Sequence, residues 1–168
     1  NQLNNPTVSF LRGRIAWQAI QAGNRTYQLD DVRNYWLTAV RGNRSSQHLN
    51  ALGFAYYAQG NLKQATGAWS EAAKLAQEQQ KNGSTADKQL NPAKRDELTA
   101  LAGLALVANK SAASQPENQR SNFKRRAIEL RGAVLRQAAS DFQVDALARN
   151  WLWSESAIGD WKALLAQK

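Results

Sequence analysis

The stretch Ser46–Gln77, SQHLNALGFAYYAQGNLKQATGAWSEAAKLAQ, decides how this chain folds. It reads as two short helices folded back on each other. Ser45 or Ser46 caps the first, which carries Leu49, Leu52, Gly53 and Tyr56 on one stripe. Gly60-Asn61 supplies a stop and a fresh cap in two residues. The second helix then spaces Leu62, Ala65, Trp69, Ala72 and Ala76 along one face. Small residues (Gly53, Ala65, Ala72) stand where helices touch, and bulky ones (Leu49, Leu52, Tyr56, Trp69) fill the gaps. A helical pair of this kind cannot bury its apolar face alone, so it stacks on neighbours.

The same rhythm extends both ways. Pro6 opens a helix in which Phe10, Gly13, Trp17 and Ile20 share a face, and Gly23-Asn24 ends it. Asp30 is an N-cap for a helix striped by Val32, Trp36, Ala39 and Val40, with Gly42 suited to the left-handed residue past its end. After the polar, aperiodic run from Gln79 to Leu90, Asn91-Pro92 restarts order. Leu98, Leu101, Ala102 and Ala105 follow, with Leu104 and Val107 on a second side. Pro116 opens a helix with Phe123, Ala127, Leu130 and Val134 as its stripe. Ser140-x-x-Gln143 has the form of a capping box for a helix using Val144, Leu147, Ala148 and Trp151. Ser154 caps a last helix with Ala157, Trp161 and Leu164.

Composition agrees. Ala, Leu, Gln, Arg and Lys dominate, and Pro occurs three times in 168 residues. Runs of strand type are lacking. The expectation is one all-α domain of 18.6 kDa. With no Cys, disulfides and thiolate metal sites are excluded. No apolar run reaches the roughly 18 residues that span a bilayer. The chain opens on Asn1, as a fragment or processed product would. The expectation is a soluble domain, free-standing or cut from a longer or membrane-anchored protein, with its compartment unassigned.

Trp36 and Trp69 stand 33 residues apart, in the settings Val32-Trp36-Ala39 and Ala65-Trp69-Ala72. Ala157-Trp161-Leu164 repeats the spacing. A period of 33 or 34 is the length of one tetratricopeptide pair. With Leu52-Gly53, Tyr56, Gly60, Ala65, Trp69 and Ala72 in place, the chain resembles the tetratricopeptide repeat family. Leu49 replaces that family's first-helix Trp and Gln77 its closing Pro. The resemblance implies a right-handed α-α superhelix of about three to four antiparallel helix pairs: repeats at 7–41 and 46–79, a loop at 80–91, a degenerate repeat at 92–137 and a C-terminal helix pair at 141–168. It also implies a protein–protein interaction scaffold rather than a catalyst, with first helices lining a concave groove.

Carried over residue by residue, the groove positions are Phe10, Arg14 and Trp17 in the first repeat and Gln47, Asn50, Phe54 and Tyr57 in the second. In the third they fall on Ala100, Leu104 and Val107. Aromatic and Arg side chains are common interface anchors, and an extended peptide or amphipathic helix of another protein suits such a groove. The third-repeat part is expected to be filled by the last helices, whose Trp151, Trp153 and Trp161 need cover. The first two repeats are expected to stay open.

A second partner class follows from charge. Lys and Arg number 22 against 13 acids, for a net charge of +9. Residues 120–136 hold Arg120, Lys124, Arg125, Arg126, Arg131 and Arg136 against Glu129 alone. Such a helix serves nucleic acid or another anionic surface, or is simply a solvated face. No exposed aromatic is interleaved with these cations, as a single-strand binder would want. The lone His48, beside Leu49, is read as a surface or capping residue without metal or triad partners. No phosphate-cradling Gly loop occurs. No cofactor, metal or catalytic residue is expected.

Overall fold

The computed structural model describes residues 5–83 and 91–168. These form eight α-helices and one short 3-10 helix, with no strand among the described residues. The helices are α1 (Pro6–Gln21), α2 (Leu29–Gly42), α3 (Ser46–Ala58), α4 (Leu62–Asn82), α5 (Pro92–Ala112), α6 (Glu117–Ala138), α7 (Val144–Ala148) and α8 (Glu155–Leu165). The 3-10 helix is Ala139–Phe142. From α1 to α6 each helix packs on the next, and α3 also packs on α5. None of these helices is long and apolar enough to cross a membrane.

Local chemistry sets the boundaries. Asn5, Ser45, Asn91 and Ser154 each accept a backbone N–H of the first turn of their helix. Gly23 (φ 86°) and Gly60 (φ 77°) close α1 and α3 in the left-handed conformation that costs glycine nothing. Several boundaries depart from the sequence expectation. α2 starts at Leu29, with Gln28 as N-cap and the Asp31 carboxylate accepting the Gln28 N–H at 2.8 Å, so Asp30 lies inside the helix. Gly42 is helical, and what its missing side chain permits is the close approach of Pro6. α4 runs on to Asn82, into the expected loop; residues 84–90 of that loop lie outside the described residues. Residues 139–142 are a 3-10 turn rather than a capped helix start, α7 lasts five residues, and Trp151 falls beyond it.

Three tryptophans show how the layers are set. Trp36, Trp69 and Trp161 are all fully buried. A side-chain carbon on Gly13 would come within 3.0 Å of the Trp36 ring, and one on Gly53 would do the same to Trp69. Trp36 and Trp69 are thus equivalent, each lying flush on the glycine of its own pair. Trp69 also meets Gly103 of α5, which leaves even less room. Gly103 therefore faces back to the preceding pair, whereas Gly53 faces forward to its own. Trp161 is not a third copy, because it packs on Phe142 and Trp153 and donates its indole N–H to the Phe142 carbonyl at 2.9 Å.

That difference corrects the groove register in α5. Counting from Gly103 as though it matched Gly53 gives Ala100, Leu104 and Val107. Ala100 is fully buried, and Leu104 and Val107 line a hollow with Thr66 and Ser70 of α4 and Phe123 of α6. The residues of α5 that face Phe10 and Asn50 are Arg95, Asp96 and Thr99.

Candidate functional site

The expected groove residues do share one face. Phe10, Arg14 and Trp17 come from α1, and Asn50, Phe54 and Tyr57 from α3; Gln47 lies exposed at the rim. The face is not open. After α6 the chain turns back, and its C-terminal segment crosses α1, α3 and α5 in order.

On α1, the Trp17 indole N–H donates to the Trp151 carbonyl at 3.2 Å. The Trp151 ring meets Phe10 edge-on at 6.0 Å, and the Arg14 guanidinium lies 4.4 Å over its centre. On α3, Phe54 meets Trp153 at 5.2 Å, and the Tyr57 hydroxyl donates to Asp160 at 2.6 Å. On α5, Lys110 pairs with Asp160 at 3.5 Å, and Asn109 accepts from Gln167 at 3.0 Å. Phe10, Trp17, Asn50, Phe54 and Tyr57 end up buried. The expectation that the first two pairs stay open therefore fails. The reason is aromatic area: Trp151 and Trp153 lay their rings on Phe10 and Phe54 of that face, and aromatic pairs add stabilisation beyond their burial.

His48 is corrected in the same way. It is buried, stacks on Phe10 at 4.9 Å, and sets its Nδ1 2.9 Å from the Asn43 carbonyl. It is a packing residue of the contact between α1 and α3 rather than a surface group, and its ring meets the carbonyl of Asn43, the C-cap residue of α2.

What remains open on this face is a cleft between the C-terminal segment and α1, α3 and α5. One part, of about 190 Å³, lies among Gln47, Asn50, Arg95, Asp96, Asn150 and Trp151. A second, of about 230 Å³, shares Arg95, Thr99 and Asn150 and continues to Asp141 and Phe142. Asn50 donates to the Asp96 carbonyl at 2.9 Å while its own side-chain oxygen, buried, has no donor. Burial pushes the Asp96 carboxyl up, and the Ser46 hydroxyl, donating at 2.7 Å, pulls it partly back.

Behind the cleft, α5 is tied to α4 through Glu97. Burial works to raise its carboxyl, but donors from Gln80, Lys94 and Gln77 outweigh burial and hold it below the usual carboxylate range. Burial, and then the bond to Asp160, push the Tyr57 hydroxyl well above the ordinary tyrosine range.

The basic helix divides. Arg131 is half-buried and donates to the Leu164 and Gln167 carbonyls at 2.6 and 2.7 Å, so it closes the C-terminal end of α8. Arg120, Lys124, Arg125 and Arg136 are exposed, and among the described residues none pairs with a carboxylate. Among the described residues, no group of three or more His, Cys, Asp or Glu side chains gathers to hold a metal.

Arg95, Asp96, Thr99 and Asn150 are the cleft residues that sequence reasoning missed, whereas Trp151 is read there as a residue in need of cover. Their one sequence signal was the excess of tryptophan after Asn150, which demands a surface to cover it. No family model, no curated protein and no solved structure matches the chain.

Proposed function

We propose that the chain is a non-catalytic, tetratricopeptide-like scaffold, a right-handed superhelix of helix pairs that binds a peptide or helix of another protein on its inner face. One observation carries this reading. The face of α1 and α3 already holds a short non-helical stretch of polypeptide, residues 149–154, by ring contacts and an indole bond to a backbone carbonyl. A surface that grips a peptide in this manner has the chemistry of peptide recognition. The wedge of Trp69 between Gly53 and Gly103 supports the stacked architecture, since it joins one pair to the next.

The partner enters along the open cleft past Gln47, Asn50, Arg95 and Asn150. A photo-crosslinking residue placed at Gln47 tests this. A discrete protein crosslinked at Gln47, lost on Arg95→Glu and absent with the crosslinker at Arg136, is expected. Crosslinking that is equal at both sites overturns the proposal.

A second reading rests on the unpaired, exposed cations Arg120, Lys124, Arg125 and Arg136. They offer an anionic surface, nucleic acid included, a set of phosphate contacts. Binding would then weaken with salt by about 0.9 log unit per contact per decade for duplex DNA. By helical geometry Arg125 and Arg136 lie on the side opposite Arg120 and Lys124, so no single stripe forms, and the first reading is preferred.

A further inference from the structure

Of the six tryptophans, five are buried and Trp151 alone keeps part of its ring in water. Its surroundings are nonetheless specific: Phe10 edge-on, the Arg14 guanidinium above, and Trp36 at 6.2 Å. The backbone around it is held lightly. Within residues 149–153 the bonds to Asn150 are local, from the Leu152 and Trp153 N–H groups. Arg149 and Asn150 donate back to the Ala146 and Leu147 carbonyls of α7, and among the described residues the one hydrogen bond that reaches this stretch from α1–α6 is the indole N–H of Trp17 on the Trp151 carbonyl. Two residues on, Trp153 is 4 % exposed and locked among Phe54, Phe142 and Trp161. The segment thus has a fixed inner end and a lightly tethered outer end. Backbone bonds that are local rather than long-range, together with partial exposure, are the features of a site that opens locally without global unfolding. The outer end also borders the cleft, where the buried Asn50 oxygen lacks a donor.

We propose that the Trp151 site is an exchangeable aromatic subsite, and that Trp151 stands in for an aromatic side chain of the partner segment. This rests on the reading of the inner face as a peptide-binding surface. The partner's ring takes the place between Phe10 and the Arg14 guanidinium. Its own carbonyl accepts the Trp17 indole N–H, and a backbone N–H of the entering segment satisfies Asn50. The partner class is therefore a segment that carries Trp, or another large aromatic residue, in a short turn like that of residues 150–153. Trp151 swings out to admit it while Trp153 stays anchored.

The probe is the blocked hexapeptide RNWLWS, which copies residues 149–154, titrated against the whole chain and followed by the indole N–H resonances. Trp151→Ala is expected to bind it about ten-fold or more tightly than wild type, because the internal competitor is gone. The control peptide RNALWS is expected not to bind. Equal affinity of wild type and Trp151→Ala, or no saturable binding by a variant with wild-type helical content, overturns the proposal. Hydrogen exchange in the unaltered chain decides the matter if that variant does not fold. The Trp17 indole N–H is expected to exchange about ten-fold or more faster than those of Trp36 and Trp161, which donate to the Phe10 and Phe142 carbonyls. Equal exchange overturns it. A Gln47 crosslink without probe binding would keep the scaffold reading and remove this one.

Discussion

The Tyr57 hydroxyl donates to Asp160 Oδ2 at 2.6 Å, across 103 residues of chain. It joins α3 to α8, and Lys110 of α5 completes the contact by pairing with the same carboxylate while lying 4.8 Å from the Tyr57 ring centre. Tyr57→Phe keeps the ring and removes the bond. A hydrogen bond to a charged group contributes about 1.5–3 kcal/mol, and the partly exposed Asp160 puts this one near the lower end, at about 1.5 kcal/mol. The pH dependence has a definite sign. The folded chain holds this hydroxyl above its ordinary value, first through burial and then through Asp160. Its contribution is complete below the unfolded value of about 10 and is lost as pH rises beyond it. Denaturant unfolding at pH 8 and pH 11 should show a steeper alkaline loss in wild type than in Tyr57→Phe.

Gly53 and Gly103 press on Trp69 from two sides, and neither leaves room for a methyl group. Gly53→Ala and Gly103→Ala should each cost about 1–3 kcal/mol through overpacking, despite the better helix propensity of Ala. Gly67, on the same helix as Trp69, has nothing within 4 Å of the added carbon. Gly67→Ala should stabilise by about 0.5–1 kcal/mol. Thermal melts of the three variants check the contrast, and a reversed order would remove the wedge.

These glycines also mark how far the sequence could be read. The settings of Trp36 and Trp69 were legible because each pairs with the glycine of its own hairpin, and period and spacing are local signals. Gly103 looked the same in sequence but faces the previous pair, so the register carried to Leu104 and Val107 was off. Trp161 kept the spacing for a different reason, as part of a cluster with Phe142 and Trp153. The fate of the groove was not local at all. Phe10, Trp17, Phe54 and Tyr57 are covered by residues about 100 or more positions away, and a helical stripe cannot show what lies on it. Arg131 was misplaced for the same reason: its partners are carbonyls at Leu164 and Gln167, more than thirty residues on.

Asp96 sits at the edge of the cleft with its carboxyl pushed up by burial and only partly relieved by the Ser46 hydroxyl. An ionised group with a raised folded-state value costs stability wherever it must be charged. The native state is relatively favoured below the unfolded value of about 3.9, and that advantage is lost as pH rises through the folded value. Asp96→Asn can still accept from Ser46 and carries no charge. It should melt higher than wild type at pH 7, and the two curves should converge below about pH 4. A variant less stable than wild type at pH 7 would show that the ionised carboxylate is held by donors other than the Ser46 hydroxyl.

Arg131 and Arg125 lie on the same helix, and their roles separate structure from surface. Arg131 brings two donors to the last carbonyls of α8, where a cation also complements the helix dipole. Arg131→Met preserves the stem and removes the donors, leaving the Leu164 and Gln167 carbonyls without them. The expected cost is about 1.5–3 kcal/mol, as for hydrogen bonds to charged groups. Arg125 is exposed and, among the described residues, its side chain bonds only to Asn122, one turn away. Arg125→Met should stay within about 0.5 kcal/mol of wild type. If the exposed cations bind an anionic partner, the same two variants part the other way. Arg125→Met loses affinity and salt dependence together, whereas Arg131→Met, once folded, keeps both. Equilibrium unfolding together with a salt titration of binding therefore assigns each arginine one role, because Arg131 is half-buried and held against the end of α8 whereas Arg125 is exposed.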